Sequence, residues 1–208
     1  MKKILFIGDS ITEWGKPEDP EGLGIGYVRL VHDYLRVTYP GEEFSVVNKG
    51  IGGNRVTDLA ERWENDVLEE KPDLLSISIG VNDVWRQLDQ PDMDQVTPEQ
   101  FAQVYEKLLQ QLSAMEVVLM EPTVIEENVE AVGNQKLSEY VEIIRELGEK
   151  YQAKVVPTHK AFLTYLQAGS GVGLTTDGVH MNSKGNMLMA KTWLDVVGDS
   201  CAKLLSAK

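Results

Sequence analysis

Short apolar runs alternate along the chain with segments whose apolar residues recur every three to four positions. The runs are rich in Ile, Leu and Val and are bounded by Gly, Pro or charge, which predicts buried strands. The segments between them have the period of amphipathic helices. The predicted strands cover residues 4–7, 44–47, 73–79, 116–120 and 154–156, and the predicted helices cover 27–37, 56–68, 98–112, 134–151 and 184–205.

The order of these elements is a strand followed by a helix, repeated five times. Strands that are apolar on both faces and alternate with helices form a mostly parallel sheet with helices on both sides. We therefore predict an α/β fold, a three-layer α/β/α sandwich with a five-stranded, mostly parallel sheet. We find no internal repeat and no Pro/Gly/Ser-rich linker, and a chain of 208 residues buries roughly 70% of its unfolded surface. A single domain over residues 1–208 is the expectation.

Composition and charge disfavour several classes of binding partner. The chain has 20 Lys+Arg against 33 Asp+Glu, so its formal net charge is −13, which disfavours nucleic acid and anionic membranes. The N-terminal apolar run is four residues long and no cleavage site follows it, so we interpret it as a strand of a cytoplasmic protein. Three scattered His and one Cys have no metal-ligand spacing, and we expect no metal or other cofactor. A homo-oligomer remains one of the possible assemblies of this chain.

A serine stands directly after the first predicted strand, in Gly8-Asp9-Ser10. A small residue before a serine at a strand end exposes the hydroxyl above the sheet edge, so Ser10 is a candidate nucleophile. Asp and Ser are also ordinary turn and N-cap residues after a strand, and taken alone the motif is better explained by that role.

A serine nucleophile needs a base, and His180 is the histidine that best fits the role. Asp177 stands three residues before it, a spacing that allows the carboxylate to hold one ring nitrogen while the other faces Ser10. His32 lies on a predicted helix and His159 at a helix start, and neither has a carboxylate at such a spacing. An ordinary ion pair in a loop is the alternative explanation of Asp177 and His180.

Attack on a carbonyl builds negative charge on its oxygen, which requires hydrogen-bond donors. Two further strand ends offer them. The stretch 48–54 contains Gly52 and Gly53, and Gly80-Val81-Asn82-Asp83 offers the side-chain amide of Asn82. Both are also common turn sequences, but four such features at four strand ends favour chemistry.

These features match a known superfamily. Gly8-Asp9-Ser10, the glycine after the second strand, Gly80-x-Asn82-Asp83 and Asp177-x-x-His180 resemble, in order, the four sequence blocks of the SGNH hydrolases, also called GDSL esterases/lipases. The resemblance covers residues 4–197 and implies a flavodoxin-like fold. It implies Ser10 as nucleophile, His180 as general base and acid, and Asp177 as the residue that orients it. It also implies an oxyanion hole of the Ser10 and Gly53 N–H groups and the Asn82 side chain, with Gly53 preferred to Gly52 because it precedes Asn54.

Within the superfamily, residues 24–27, 47–51 and 82–87 look like those of bacterial intracellular acetylxylan esterases, which deacetylate xylo-oligosaccharides. The resemblance implies a serine esterase that removes acetyl groups from small carbohydrates through an acyl-enzyme. Two residues depart from the family pattern: Ile11 replaces a Leu, and Thr176 stands where the closest esterases carry an aromatic. The candidate substrate-binding residues are Asp9, Asn54, Trp85 and Tyr27, and anchoring of loops is the alternative role of the two aromatics.

Two other functions stay open. The first is a small alkyl esterase, a thioesterase or a lysophospholipase, and the second, from a different class, is a non-catalytic flavodoxin-like binding module. Residues 87–98 are predicted to form a polar loop with three aspartates, which suits a hydrated sugar better than an acyl tail. All four blocks are intact, which argues against a binding module with a decayed site.

Overall fold

The computed structural model describes residues 1–206 and contains a five-stranded sheet with helices on both faces. The strands are β1 (Lys2–Gly8), β2 (Phe44–Gly50), β3 (Leu74–Ser78), β4 (Glu116–Met120) and β5 (Lys154–Val156). The helices are α1 (Ser10–Glu13), α2 (Tyr27–Thr38), α3 (Val56–Trp63), α4 (Val81–Asp89), α5 (Pro98–Gln110), α6 (Val132–Lys150), α7 (Thr158–Gln167) and α8 (Ser183–Ser206). A π-helical turn, Glu64–Leu68, continues α3.

The sheet is parallel throughout, with the strand order β2-β1-β3-β4-β5. Its register aligns the strand ends: Gly8 lies opposite both Gly50 and Ser78, Ser78 opposite Met120, and Met120 opposite Val156. The loops that follow the five strands therefore leave the sheet along one edge. The predicted α/β sandwich with a parallel sheet is confirmed.

Aromatic side chains join the sheet to the helices on one face. Phe6 of β1 contacts Tyr27 of α2 and Trp193 of α8, with ring centroids 5.8 and 5.3 Å apart. The indole N–H of Trp193 donates to Ser76 Oγ in β3 at 3.0 Å, which satisfies two buried polar groups at once. On the other face, α3 packs against α5 and α5 against α6. Both faces of the central strands are thus covered.

Helix α8 is long and packs against α2, α7 and β5. Its Cys201 is fully buried, and burial raises the pKa of the thiol to about 12. Neither α8 nor any other helix within residues 1–206 combines the length and the apolar character that a membrane span requires.

All predicted strands and helices are present, with ends that differ by at most three residues when the π-helical turn is counted with α3. Two helices, α1 and α4, were not predicted, and of α7 only the start near His159 was predicted. Helix α4 corrects the loop predicted over 87–98, because the helix continues to Asp89. Its first turn, Val81 to Val84, is buried at every position, so it lacks the one-sided apolar pattern from which helices are predicted. In α7 only Thr158, His159 and Phe162 are buried, too few to show a period.

Candidate active site

The turn from β1 into α1, here called the β1 turn (residues 8–14), depends on two close backbone contacts. A Cβ atom on Gly8 would lie 2.3 Å from Ser78 O, and one on Gly50 would lie 2.2 Å from Glu13 N. Real Cβ atoms do not approach backbone atoms this closely, so both positions require glycine. The one-turn helix α1 therefore packs directly on the ends of β1 and β2.

Asp9 begins this helix and Ser10 is its first residue. The Asp9 carboxylate is the N-cap, since Oδ1 accepts from Ile11 N at 2.9 Å. The side chain is 2% exposed, and burial raises its pKa to about 6 although the Ile11 N–H and the nearby His180 oppose the shift. Ser10 is half-buried, so its hydroxyl lies at the sheet edge with one side open.

Three residues that the sequence analysis selected form a continuous chain of hydrogen bonds. Ser10 Oγ lies 2.9 Å from His180 Nε2, and His180 Nδ1 lies 2.7 Å from Asp177 Oδ2. This geometry lets the carboxylate hold the Nδ1–H tautomer, which leaves Nε2 free to accept the serine proton. Ser10 and His180 are 170 positions apart in the chain, and the aligned strand ends bring them together.

The turn that carries Asp177 and His180, here called the 173–182 turn, is held by hydrogen bonds in addition to its buried Leu174, Val179 and Met181. The other oxygen of Asp177, Oδ1, accepts from Val179 N at 3.0 Å and from His180 N at 2.7 Å. Partial burial raises the pKa of Asp177, but its hydrogen bonds with His180 and Val179 outweigh that effect, so the pKa lies below its ordinary value. Thr176 N donates to His180 O at 2.8 Å. Asn182 Oδ1 accepts from the N–H groups of Lys184 and Gly185 and so caps the start of α8.

Two glutamates after β4 hold the 173–182 turn from outside. Glu127 Oε1 accepts from Leu174 N at 2.8 Å and from both the backbone and the hydroxyl of Thr175 at 2.5 Å. Glu126 N donates to Gly178 O at 2.8 Å. Glu126 has a φ of 67°, a conformation that costs a residue with a Cβ about 1 kcal/mol or more, and this cost is consistent with a function for the contact.

The candidate oxyanion donors lie on neighbouring loops. Asn82 Nδ2 donates to Asn54 O at 3.1 Å, which places the Asn82 amide against the loop after β2. A Cβ on Gly52 would be 3.9 Å from Ser10 Cβ, so this loop also borders the serine. Gly53 has a φ of 77°, and within residues 1–206 neither its N–H nor that of Ser10 makes a hydrogen bond. Both N–H groups are therefore free to donate to a ligand.

A second buried carboxylate lies below these donors. Asp83 is fully buried, and its Oδ1 accepts from Val56 N, the first residue of α3, at 3.1 Å. Its Oδ2 has no partner among the described residues. Burial raises the pKa of Asp83 to about 7, and the nearby Asp9 adds to the shift.

Two tryptophans flank the imidazole of His180. Trp14 stacks on it with centroids 5.2 Å apart and planes 17° apart, and Trp85 meets it edge-on at 5.8 Å. The guanidinium of Arg86 lies over the Trp85 ring at 4.5 Å and donates to Asn82 Oδ1 at 3.3 Å. The sequence analysis missed Trp14, although its position one helical turn after Ser10 could have indicated it.

The other candidate substrate-binding residues differ in access. Asn54 is half-buried, Asp9 is almost fully buried, and Tyr27 is completely buried with its hydroxyl 3.0 Å from Thr12 Oγ1. The prediction that Tyr27 lines a substrate pocket is at odds with this burial, because its ring fills the core between β1 and α2. Of the alternatives, anchoring is the role that its contacts support.

The remaining histidines lie elsewhere. His159 is buried and its Nδ1 lies 2.5 Å from Thr123 O, and burial lowers the pKa of its ring. His32 Nδ1 lies 2.8 Å from Asp33 Oδ1 on α2. Within residues 1–206, no three His, Cys, Asp or Glu side chains are grouped so that they could hold a metal ion.

Comparison with known proteins identifies the class. A sequence profile of the GDSL-like lipase/acylhydrolase family matches residues 6–188, so the chain belongs to this family and is a carboxylic ester hydrolase. An acetylxylan esterase of Geobacillus stearothermophilus is 38% identical over 209 residues, which cover 95% of this chain and 94% of the relative. The resemblance noted from the four sequence blocks is confirmed.

Solved structures agree with this assignment. Axe2, an acetylxylan esterase from Geobacillus stearothermophilus, has a TM-score of 0.86 and 34% identity, over 100% of this chain and 95% of that chain. LAE5, described as an alpha/beta hydrolase enzyme from the metagenome of Lake Arreo, Spain, has a TM-score of 0.87 and 32% identity, over 99% and 97% of the two chains. The fold is thus that of esterases whose structures have been determined.

Proposed function

We propose that this chain is a serine esterase that removes acetyl groups from small carbohydrates such as xylo-oligosaccharides. The observation that carries the chemistry is the chain of hydrogen bonds from Ser10 through His180 to Asp177 at an open sheet edge. The proposal that the substrate is an acetylated carbohydrate is supported by the relatives, which are named acetylxylan esterase.

In the proposed acylation step, Ser10 Oγ attacks the carbonyl carbon of the ester and its proton moves to Nε2 of His180. Asp177 stabilises the imidazolium that forms. The carbonyl oxygen becomes negative and accepts hydrogen bonds from Ser10 N, Gly53 N and Asn82 Nδ2. His180 then gives its proton to the sugar oxygen as the C–O bond breaks, which leaves an acetyl ester on Ser10.

Deacylation repeats these steps with water. His180 takes a proton from the water, the hydroxide attacks the acetyl carbonyl, and the same three donors hold the oxyanion. When the intermediate collapses, the bond to Ser10 Oγ breaks and His180 returns the proton to Ser10. The acetic acid product leaves the site and ionises to acetate, which the net charge of −13 on the protein repels.

A short acyl chain is supported by the segment 90–97 between α4 and α5. A lipase lid moves and exposes apolar surface, whereas this segment is tied to the rest of the molecule. Val96 is buried and its carbonyl accepts from Tyr140 Oη at 2.6 Å, and Asp94 O accepts from Arg55 Nη1 at 2.7 Å. We also propose that the whole chain is one domain, since one hydrophobic core extends from Ile4 to Leu205.

The test measures acetyl, butyryl and octanoyl esters of one chromogenic alcohol, and acetate release from acetylated xylo-oligosaccharides. We expect kcat/KM to fall steeply with acyl length, no jump in rate when the substrate forms micelles, and release of acetate from the oligosaccharide. Preference for octanoyl esters or activation at an interface would instead favour the lysophospholipase alternative.

The nucleophile is tested in the same assay. Ser10→Ala should lower kcat by about 10⁴-fold or more while the protein stays folded, because only the oxyanion donors and binding remain. The matched control is Ser113→Ala, which changes an exposed serine and should leave kcat unchanged. More than a tenth of the activity in Ser10→Ala would exclude Ser10 as nucleophile.

A further inference from the structure

The side chain of Arg62 connects three segments at the active-site edge. Its Nη2 donates to Gly8 O at 2.9 Å, its Nη1 to Lys49 O at 2.8 Å, and its Nε to Asn54 Oδ1 at 2.8 Å. Gly8 ends β1 two residues before Ser10. Lys49 is the second-last residue of β2, and Asn54 directly follows Gly53. A single guanidinium thus contacts the nucleophile strand and both ends of the loop after β2.

Only arginine fits this role among the cationic residues. Its planar group presents five N–H donors in fixed directions, whereas a lysine ammonium is a single point at the end of a flexible chain. The side chain is 14% exposed, and Asp66, four residues further along, accepts from Nη1 at 2.7 Å and balances the charge. The guanidinium is therefore oriented and neutralised before any substrate binds.

The loop it contacts, residues 51–54, is not held by packing. Residues 51–53 are exposed, and the backbone bonds of this loop are Ile51 N to Gly8 O at 3.1 Å and Asn54 N to Ile51 O at 3.3 Å. The contact passes further, because Asn54 O accepts from Asn82 Nδ2 at 3.1 Å. Arg62, Asn54 and Asn82 therefore form a line of hydrogen bonds behind the candidate oxyanion donors.

We propose that Arg62 is a positioning residue for the oxyanion hole. By tying the end of β1 to the loop 51–54, it sets the position of the Gly53 N–H relative to Ser10, and through Asn54 it sets the position of the Asn82 amide. Stabilisation of the oxyanion depends on donors within 2.7–3.1 Å of that oxygen, and loss of one such donor typically costs about 10²–10³-fold in kcat. The inference rests on the proposed roles of Ser10, Gly53 and Asn82.

The first experiment compares Arg62→Met, Arg62→Lys and wild type on a chromogenic acetyl ester. We expect kcat to fall on the order of 10- to 100-fold in Arg62→Met with KM within about threefold, and Arg62→Lys to be intermediate because the ammonium reaches fewer acceptors. Arg36→Met is the matched control: Arg36 also donates to a β2 carbonyl, Phe44 O at 2.6 Å, but at the opposite end of the strand. Its kcat should equal that of wild type.

A double-mutant cycle separates positioning from general support of the fold. In an Asn82→Ala background, Arg62→Met should cost much less than in wild type, because the two residues act on the same donors. In an Asp177→Asn background, Arg62→Met should lower kcat by the same factor as in wild type. Equal losses in wild type and Asn82→Ala, or kcat within threefold of wild type in folded Arg62 variants, would overturn the proposal.

If neither Arg62 variant folds, Asn54→Ala decides, since it removes only the side-chain acceptor on the loop. Reduced kcat with unchanged KM supports the proposal, and wild-type kcat overturns it. Failure of the proposed function is recognised separately: it requires that wild type does not hydrolyse the acetyl ester or that Ser10→Ala still does, whatever the Arg62 variants do.

Discussion

Ser10 and His180 share a hydrogen bond, yet the two regions that carry them are held in place by different interactions. The β1 turn is fixed by contact: no methyl group fits at Gly8 or Gly50, so α1 has one position on the strand ends. The 173–182 turn is fixed by directed hydrogen bonds, many of them to Asp177 and Glu127. Changes to the packing of the first region should therefore cost stability, and changes to the hydrogen bonds of the second should cost activity.

Among changes that leave the nucleophile in place, Asp177→Asn should show the largest effect on activity. The amide cannot stabilise an imidazolium or enforce the productive tautomer of His180, so we expect kcat to fall by about 10³-fold or more with little change in the free energy of unfolding. Asp195→Asn is the control, because it removes an exposed carboxylate paired with Lys191 on α8. It should leave kcat and the free energy of unfolding unchanged. A loss of less than tenfold would mean that the 173–182 turn orients His180 without this carboxylate.

Gly8→Ala tests the packed region. Its Cβ would meet Ser78 O at 2.3 Å and Thr12 Oγ1 at 2.4 Å, so the backbone of α1 must shift. We expect the free energy of unfolding in urea to fall by about 1–3 kcal/mol. Gly198→Ala, on α8 with open space around the position, should be neutral or stabilising. Equal stability of the two variants would contradict packing as the constraint.

Glu127→Ala tests the polar region. Loss of the acceptor for Leu174 and Thr175 should loosen the turn and lower kcat by about tenfold, with KM unchanged, since hydrogen bonds to a charged group are worth about 1.5–3 kcal/mol. Glu127→Gln keeps an acceptor oxygen and should restore most of the activity. Glu130→Ala, a neighbouring exposed glutamate, is the control. A loss of stability without a change in kcat would assign Glu127 a purely structural role.

Asp83→Asn tests how the stability of the buried region depends on pH. Burial raises the pKa of Asp83 to about 7, above the ordinary 3.8, so the folded state binds the proton more tightly than the unfolded state. Stability of wild type therefore falls as pH rises between about 4 and 7. Between pH 5 and 8 the variant should gain about 2 kcal/mol relative to wild type in urea unfolding. Asp92→Asn, an exposed control, should show no such change.

The sequence predicted the parts of the molecule that depend on local pattern. All five strands were predicted from apolar runs. Helix α4 was missed because its first turn is buried on every side, and Tyr27 was assigned to a pocket although it lies in the core. Both errors concern what surrounds a residue in space, which a linear pattern does not contain.

The same distinction applies to the site. Ser10, Asp177 and His180 stand out because their residue types and spacings are those of a known chemistry. The contacts of Arg62 join segments far apart in the chain, Arg62 and Gly8 by 54 positions, and no spacing rule indicates them, whereas Trp14 could have been found from its position one helical turn after Ser10. Residues that perform a reaction are thus easier to find in a sequence than residues that hold them in position.

The fully buried Cys201 allows the undocking of α8 to be followed by alkylation of this thiol. A thiol with a pKa near 12 and no solvent contact does not react with alkylating reagents at neutral pH while α8 stays docked. Labelling therefore requires excursions in which the C-terminal helix leaves the sheet, and its rate rises with the fraction of time spent in the open state. Since the chain has one cysteine, the label reports on this one position.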